Sequence, residues 1–124
     1  MDAFDVIRRY FTCLEASDFA GAADCFSASA RYSHPPYAGD PPGRHEAHGR
    51  AEILSLFRRR GPRGTRHEIT ATATAGDRLF ISGLIKDADG KVAGSFVSEA
   101  VFDAAENRFA EYVAYSSRPA VWAS

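Results

Sequence analysis

Hydrophobic residues recur at helical spacing through the first half of the chain and alternate with polar residues through most of the second half. The first helical set comprises Phe4, Ile7, Phe11 and Leu14. It predicts a helix over residues 3–16, with Asp2 as its capping residue. A short second helix is predicted after Ser17-Asp18, with Phe26 on its apolar side, and it is expected to end at Ser27–Ser29.

The third predicted helix, Arg50–Arg60, ends at the stop signal Gly61-Pro62. Its last turn contains Arg58, Arg59 and Arg60. Positive charge there suits the negative end of the helix dipole. A solvated helix end is favoured over an anion site at these arginines.

Alternation of apolar and polar residues predicts strands elsewhere. A short strand, Ala30–His34, is predicted between the second and third helices. A meander of four strands is predicted at His67–Ala75, Leu79–Lys86, Lys91–Asp103 and Arg108–Ser117. The tail, Arg118–Ser124, is expected to be irregular. Helices segregated from an antiparallel sheet predict an α+β fold, and a long, curved sheet wrapped around helices leaves a cone-shaped cavity.

The segment Arg31–Arg50 concentrates residues with chemical potential, because it holds three of the four histidines and four of the six prolines. Pro35 favours extended geometry for His34, and an imidazole titrates near neutral pH, which suits proton transfer. His34 is therefore a candidate base at the mouth of an apolar pocket. A surface loop of turn-forming residues with inert histidines explains the same segment equally well.

Length and composition are those of one globular domain spanning residues 1–124, with 45% hydrophobic and 25% charged residues. The net charge of −1 gives no field that would recruit nucleic acid or an anionic membrane. No apolar run suits a membrane span and no signal peptide is recognised, so a cytoplasmic location is expected. Cys13 and Cys25 are expected to be free thiols. No zinc spacing or phosphate loop is present, so neither a metal nor another cofactor is predicted.

Four segments carry a resemblance to a known superfamily. They are Val6-Ile7-Arg8-Arg9-Tyr10, Ala16-Ser17-Asp18-Phe19, His34-Pro35 and His48-Gly49-Arg50-Ala51-Glu52-Ile53. With the order of elements, they make the chain similar to the nuclear transport factor two-like superfamily, and within it to ketosteroid isomerases and SnoaL-type polyketide cyclases. The resemblance covers nearly the whole chain. It implies a cone-shaped fold of three N-terminal helices packed on a curved, mostly antiparallel sheet that encloses a cavity.

The resemblance also implies roles for individual residues. His34 stands where the isomerase has its catalytic aspartate, and Tyr10 stands where it has its oxyanion tyrosine. The position of the second oxyanion donor, an aspartate in the isomerase, is occupied by Ser98. Glu99 is adjacent, and a register shift of one residue would exchange which of the two faces the cavity. The loop from Pro35 to Ala47 is longer than in the isomerase.

Aromatic side chains are expected to contact a small hydrophobic substrate, namely Tyr32, Phe57, Phe96 and Tyr112. Accessory acid–base candidates are Glu99, Glu111 and His48, of which a buried carboxylate would orient His34. The predicted activity is that of an isomerase or aldol-type cyclase, with dehydratase and epoxide hydrolase as related options. The alternative is a noncatalytic ligand-binding or dimerising module of the same fold. Apolar residues on both faces of the meander predict a homodimer through the sheet.

Overall fold

In the computed structural model, which describes residues 1–37 and 40–122, three helices pack against one six-stranded sheet. The helices are α1 (Ala3–Glu15), α2 (Phe19–Ala23) and α3 (Arg50–Arg60). The strands are β1 (Phe26–His34), β2 (His45–His48), β3 (Arg66–Ala75), β4 (Arg78–Lys86), β5 (Val92–Asp103) and β6 (Arg108–Ser117). Residues 38–39 of the proline-rich segment and residues 123–124 of the predicted tail lie outside the described residues.

Helix α1 forms because its sequence satisfies its N-terminus and buries one face. The Asp2 carboxylate accepts a hydrogen bond from the Asp5 backbone N–H at 2.8 Å, and the Asp5 carboxylate accepts one from the Asp2 N–H at 3.2 Å. This capping box pairs two backbone donors that the helix itself cannot satisfy. The buried residues of α1 are Val6, Ile7, Tyr10, Phe11 and Leu14. The predicted helix is confirmed to within one residue at its C-terminal end.

The third helix is confirmed at its predicted bounds, and its end has a conformational cause. Gly61 follows Arg60 with φ of +67°, a left-handed conformation that glycine adopts without steric cost. The Gly61 N–H donates to the Phe57 carbonyl at 3.0 Å and closes the last turn. The chain then leaves the helix axis at the position where Arg60 projects from the final turn.

The sheet has the strand order β2-β1-β6-β5-β4-β3 and is open, curved and mixed. Strand β1 runs parallel to β6, and all the other neighbouring pairs are antiparallel. Register shifts interrupt four of the five strand pairings, and such irregularities bend a sheet. The predicted α+β cone fold and its four-strand meander are confirmed.

Two details of the sequence-based prediction are wrong. The second helix ends at Ala23, and Phe26 already belongs to β1. Phe26 is fully buried and lies beside Phe109 of β6, so long-range pairing overrides the local helical spacing of the apolar residues. Strand β2 was not predicted, because its four residues (His45–His48) carry no apolar alternation and depend on pairing with β1.

The two faces of the sheet differ because side chains alternate along each strand. The inner face buries Leu79, Ile81, Phe96, Ser98, Ala100, Tyr112 and Ala114. On the outer face, Val97 and Tyr115 lie opposite each other on β5 and β6 and are 52% and 54% exposed. In the described residues, no helix is long and apolar enough to cross a membrane. Cys13 and Cys25 are free thiols as predicted, and burial raises the pKa of Cys25 to about 12.

Candidate active site

One cavity of about 470 Å³ opens between the helices and the inner face of the sheet, a size typical of small-molecule sites. All three predicted catalytic residues line it: Tyr10 from α1, His34 from β1 and Ser98 from β5. Three of the four predicted substrate contacts line it as well, namely Tyr32, Phe96 and Tyr112. Side chains alternate along β5, so only one of Ser98 and Glu99 can face the cavity. It is Ser98, which is fully buried.

Four hydroxyl groups in the cavity form two hydrogen-bonded pairs. The Tyr10 and Tyr32 hydroxyl oxygens are 3.1 Å apart, and Ser98 Oγ lies 2.9 Å from the Tyr112 hydroxyl. The Tyr32 and Tyr112 rings stack, with their centres 5.4 Å apart and an angle of 9° between planes, so the two pairs lie side by side. Within each pair one hydroxyl donates to the other. The second hydroxyl proton of each pair therefore remains available to a ligand.

Burial keeps these tyrosines protonated. It raises the pKa values of Tyr10 and Tyr32 well above the usual value, and it also raises the pKa of Tyr112. Neutral hydroxyls are hydrogen-bond donors, whereas phenolates are not. The aromatic wall thus presents donors toward the cavity across the whole physiological pH range.

His34 is held as a neutral imidazole with a defined tautomer. Its Nδ1 lies 2.8 Å from the Pro35 carbonyl oxygen, which can only accept, so Nδ1 carries the proton and donates it. The Nε2 atom is then the unprotonated nitrogen. Burial, with a smaller contribution from the positive charge of Arg60, lowers the pKa of His34 to about 4, against the opposing effect of the hydrogen bond to Pro35. The His34 ring lies parallel to Tyr32, with centres 6.2 Å apart.

The other predicted residues lie away from this cavity. Phe57 is fully buried, does not line the cavity and packs its ring against Tyr10 and Tyr32. Glu99 and Glu111 lie on the outer face, paired with arginines at 3.0 and 2.6 Å. Neither carboxylate is therefore placed to orient His34, because strand alternation turns both side chains away from the inner face.

The third accessory candidate, His48, also lies outside the cavity. It lines a shallow groove of about 210 Å³ that contains Glu111, on the outer side of β1 and β6. In residues 1–37 and 40–122, no group of three or more His, Cys, Asp or Glu side chains is arranged to hold a metal ion.

Comparisons with known proteins agree with this architecture. The model of a family described as the SnoaL-like domain matches residues 7–112, a span that includes Tyr10, His34 and Ser98. The chain belongs to the SnoaL-like domain family. A search of curated proteins finds no match to this SnoaL-like chain.

Several solved structures share the fold of this SnoaL-like domain at low sequence identity. A "putative isomerase of the SnoaL-like family" from Agrobacterium tumefaciens is 15% identical with a TM-score of 0.71, covering 92% of this chain and 96% of its own. A "putative polyketide cyclase" from Sinorhizobium meliloti is 15% identical with a TM-score of 0.64, covering 90% and 94%. An NTF2-like protein of unknown function from Mesorhizobium loti is 24% identical with a TM-score of 0.65, covering 91% and 88%.

The SnoaL-like cavity also contains residues that sequence reasoning did not select. They are Phe11, Tyr37, Arg60, Arg63, His67 and Arg118. His67 stacks on Phe11 with ring centres 4.4 Å apart, and its Nδ1 lies 3.2 Å from Glu15 Oε2. Among these residues, Arg60 belongs to the arginine run at the end of α3, where an anion site is the less favoured interpretation of the sequence. The other residues reach the cavity only through the folding of the chain.

The lowered pKa of His34 predicts how the stability of this SnoaL-like domain depends on pH. The folded-state pKa is about 4 and the unfolded value is 6.5, so between these values the unfolded state binds a proton that the folded state does not. The contribution of His34 to the free energy of unfolding is therefore complete above pH 6.5 and is lost as the pH falls toward 4. Urea unfolding across this window should show a shallower pH slope in His34→Gln than in wild type.

The exposed His48 provides the matched control for this measurement, because His48→Gln removes an imidazole from the outer face. Its slope should match that of the wild-type protein. Equal slopes for wild type and His34→Gln would show that His34 titrates alike in both states.

Proposed function

We propose that this protein is a cofactor-independent enzyme that moves a proton next to a carbonyl group of a small hydrophobic substrate, as isomerases and polyketide cyclases do. The observation that carries the proposal is the shared cavity of His34 Nε2 and the two hydroxyl pairs. Enolisation requires a base near the acidic carbon and hydrogen-bond donors at the carbonyl oxygen. His34 is the base. The Tyr10–Tyr32 and Ser98–Tyr112 pairs supply the donors.

The basicity of His34 fits this role. Its pKa of about 4 leaves the imidazole unprotonated at pH 7, as a proton acceptor must be. A base this weak removes a carbon-bound proton only when donors stabilise the enolate that forms. Buried tyrosine hydroxyls meet that need, because a hydrogen bond is stronger in the low dielectric of a protein interior than in water. Dehydration and epoxide opening use the same acid–base groups and remain related options.

A noncatalytic ligand-binding protein is the second candidate. The observation that favours it is the pairing itself, since each of the four hydroxyls already has a protein partner. One feature favours the enzyme over it, because His34 lines the cavity and its Nε2 is left with a lone pair that can accept a proton. The open cavity argues only against a module that serves dimerisation alone.

We further propose that the protein forms a homodimer through the outer face of its sheet. Val97 and Tyr115 lie side by side there and are more than half exposed, and Phe80 and Leu84 on β4 add apolar surface. A second copy of the chain would bury this surface. Single exposed apolar residues are common on monomers, whereas several adjacent ones indicate an interface. The cytoplasm is the proposed compartment, which the two free thiols support.

His34→Gln should abolish most proton transfer while leaving ligand affinity within about tenfold, because the aromatic walls supply most of the binding. The measurement is deuterium incorporation next to the carbonyl in a panel of aryl ketones in D₂O, by mass spectrometry. General-base removal typically costs on the order of 10²- to 10⁴-fold. In wild type, the rate should rise as pH increases through about 4 and then level off, since only neutral imidazole accepts a proton.

His48→Gln is the control and should exchange at the wild-type rate. Exchange that persists in His34→Gln with an unchanged pH profile would place the base elsewhere. Loss of binding together with exchange would make His34 a ligand contact and favour the noncatalytic candidate.

Tyr10→Phe should slow the same exchange by roughly 10²-fold, because it removes one oxyanion donor and leaves the ring packing in place. His48→Gln is again the control, since His48 lies outside the cavity that contains both hydroxyl pairs. If both variants exchange at the wild-type rate, the Tyr10 hydroxyl serves structure alone.

Sedimentation of the wild-type protein at micromolar concentration should give about twice the 13.5 kDa chain mass. Val97→Glu should shift it toward the monomer, because a charge would be buried without a partner in the interface. The conservative Val97→Thr should remain dimeric. A wild-type monomer would remove the proposed homodimer.

A further inference from the structure

The charge lining the cavity has one sign. Arg60, Arg63 and Arg118 line it, whereas no Asp or Glu among the described residues does. We propose that the substrate carries a carboxylate that binds Arg60 and Arg63 at the cavity mouth, while its carbonyl group lies against the hydroxyl pairs. This inference rests on the proposed function, because it names the substrate class of the same cavity as a hydrophobic keto acid.

Arg60 has no carboxylate counter-ion among the described residues. The ion-paired basic residues of the described chain include Arg9, Arg31, Arg78, Lys86 and Arg108, all bound to surface carboxylates. Arg60 is half-buried and forms no ion pair within 4.0 Å of any described carboxylate. A partly desolvated charge is costly unless an opposite charge compensates it. A ligand carboxylate in the cavity would provide that compensation.

Tyr37 gathers two guanidinium groups at the cavity wall. The Cζ atom of Arg63 lies 4.4 Å from the centre of the Tyr37 ring, and that of Arg60 lies 5.6 Å from it. Both distances fall within the range of cation–π attraction. The attraction of each guanidinium group to the ring opposes the repulsion between the two positive charges. Paired guanidinium groups can bind one carboxylate through several N–H donors.

The carboxylates near these arginines already have other partners. Asp40 accepts from His45 Nε2 at 2.5 Å and from the Tyr37 backbone N–H at 3.0 Å. Glu15 borders a small adjoining pocket with Arg60 and Arg63, but it accepts from the His67 backbone N–H at 2.9 Å. Neither forms an ion pair with Arg60 or Arg63, so the guanidinium donors remain available to a ligand.

An unpartnered hydroxyl supplies independent support. The Tyr37 hydroxyl oxygen is buried, lies near the Tyr32 hydroxyl and forms no hydrogen bond of normal length among the described residues. Leaving a buried hydroxyl unpaired is unfavourable, so a ligand acceptor at this point would be favoured. The Tyr37 ring lies 4.8 Å from the His34 ring, centre to centre. The carboxylate site therefore adjoins the proposed base, at a separation that one substrate molecule spans.

The test compares ligands that share one ring system and differ in the attached polar group, by isothermal titration calorimetry on the full chain. The probes are 2-naphthoate, its neutral analogue 2-naphthamide, and 2-naphthyl phosphate. Wild type should bind 2-naphthoate at least tenfold more tightly than 2-naphthamide. Arg60→Gln should abolish this preference without weakening 2-naphthamide, and Arg59→Gln, on the exposed side of the same helix turn, should retain it. Arg63→Gln should reduce the preference and serves as the second variant if Arg60→Gln does not fold.

Equal affinities of wild type for 2-naphthoate and 2-naphthamide would overturn the inference, as would no binding of 2-naphthoate. Equal losses in Arg60→Gln and Arg59→Gln would also overturn it, since they indicate a general charge effect. Tighter binding of 2-naphthyl phosphate than of 2-naphthoate would reassign the site to phosphate esters. Failure of the proposed function is distinguishable, because a carboxylate preference with no deuterium exchange removes the enzyme proposal and leaves the anion site in place.

Discussion

The parallel pairing of β1 with β6 is the constraint on which the candidate site depends. It sets Tyr32 beside Tyr112 and thereby stacks the two rings at 5.4 Å. The antiparallel pairing of β5 with β6 then sets Ser98 opposite Ala114. Ala114 is two residues after Tyr112 on β6, so Ser98 and Tyr112 share the inner face. Because side chains alternate along a strand, a slip of one residue in β1 would turn both Tyr32 and His34 to the outer face. One register therefore brings the proposed base, His34, and both hydroxyl pairs to the same face.

Burial then determines the protonation state of each group in the cavity. Desolvation lowers the pKa of His34 and raises the pKa values of the buried tyrosines, so imidazole and phenol are both neutral at pH 7. A neutral acceptor and neutral donors stand in the same aromatic enclosure. The positive charge near them resides on guanidinium groups, which remain ionised at any physiological pH. The site thus separates proton acceptance, hydrogen-bond donation and positive charge onto different residues.

Membership in the SnoaL-like family and the solved structures that share the fold establish the architecture, whereas chemistry has to be argued from the site. Other residues at the positions of His34 and Ser98 would give the same cone a cavity of different chemistry. The proposed catalysis accordingly depends on local features. They are the tautomer that Pro35 imposes on His34, the spare proton of each hydroxyl pair and the size of the cavity.

The sequence by itself determined the elements whose signals are local. These signals act over a few residues: capping by Asp2, the 3.6-residue period of α1, the Gly61 stop and the period-two pattern of the last strands. The helix bounds, the meander and the fold class could therefore be predicted. The resemblance made Tyr10 and Ser98 candidates, but the choice between Ser98 and Glu99 stayed open until the structure showed which of the two is buried in the cavity. Tertiary structure alone decided that Phe26 belongs to a strand, that β2 pairs with β1, and that Phe57 supports the cavity from beneath. It also decided that Arg60 and Arg63 meet at Tyr37 while Glu99 and Glu111 point away. These outcomes depend on contacts between residues far apart in the chain, which no local pattern encodes.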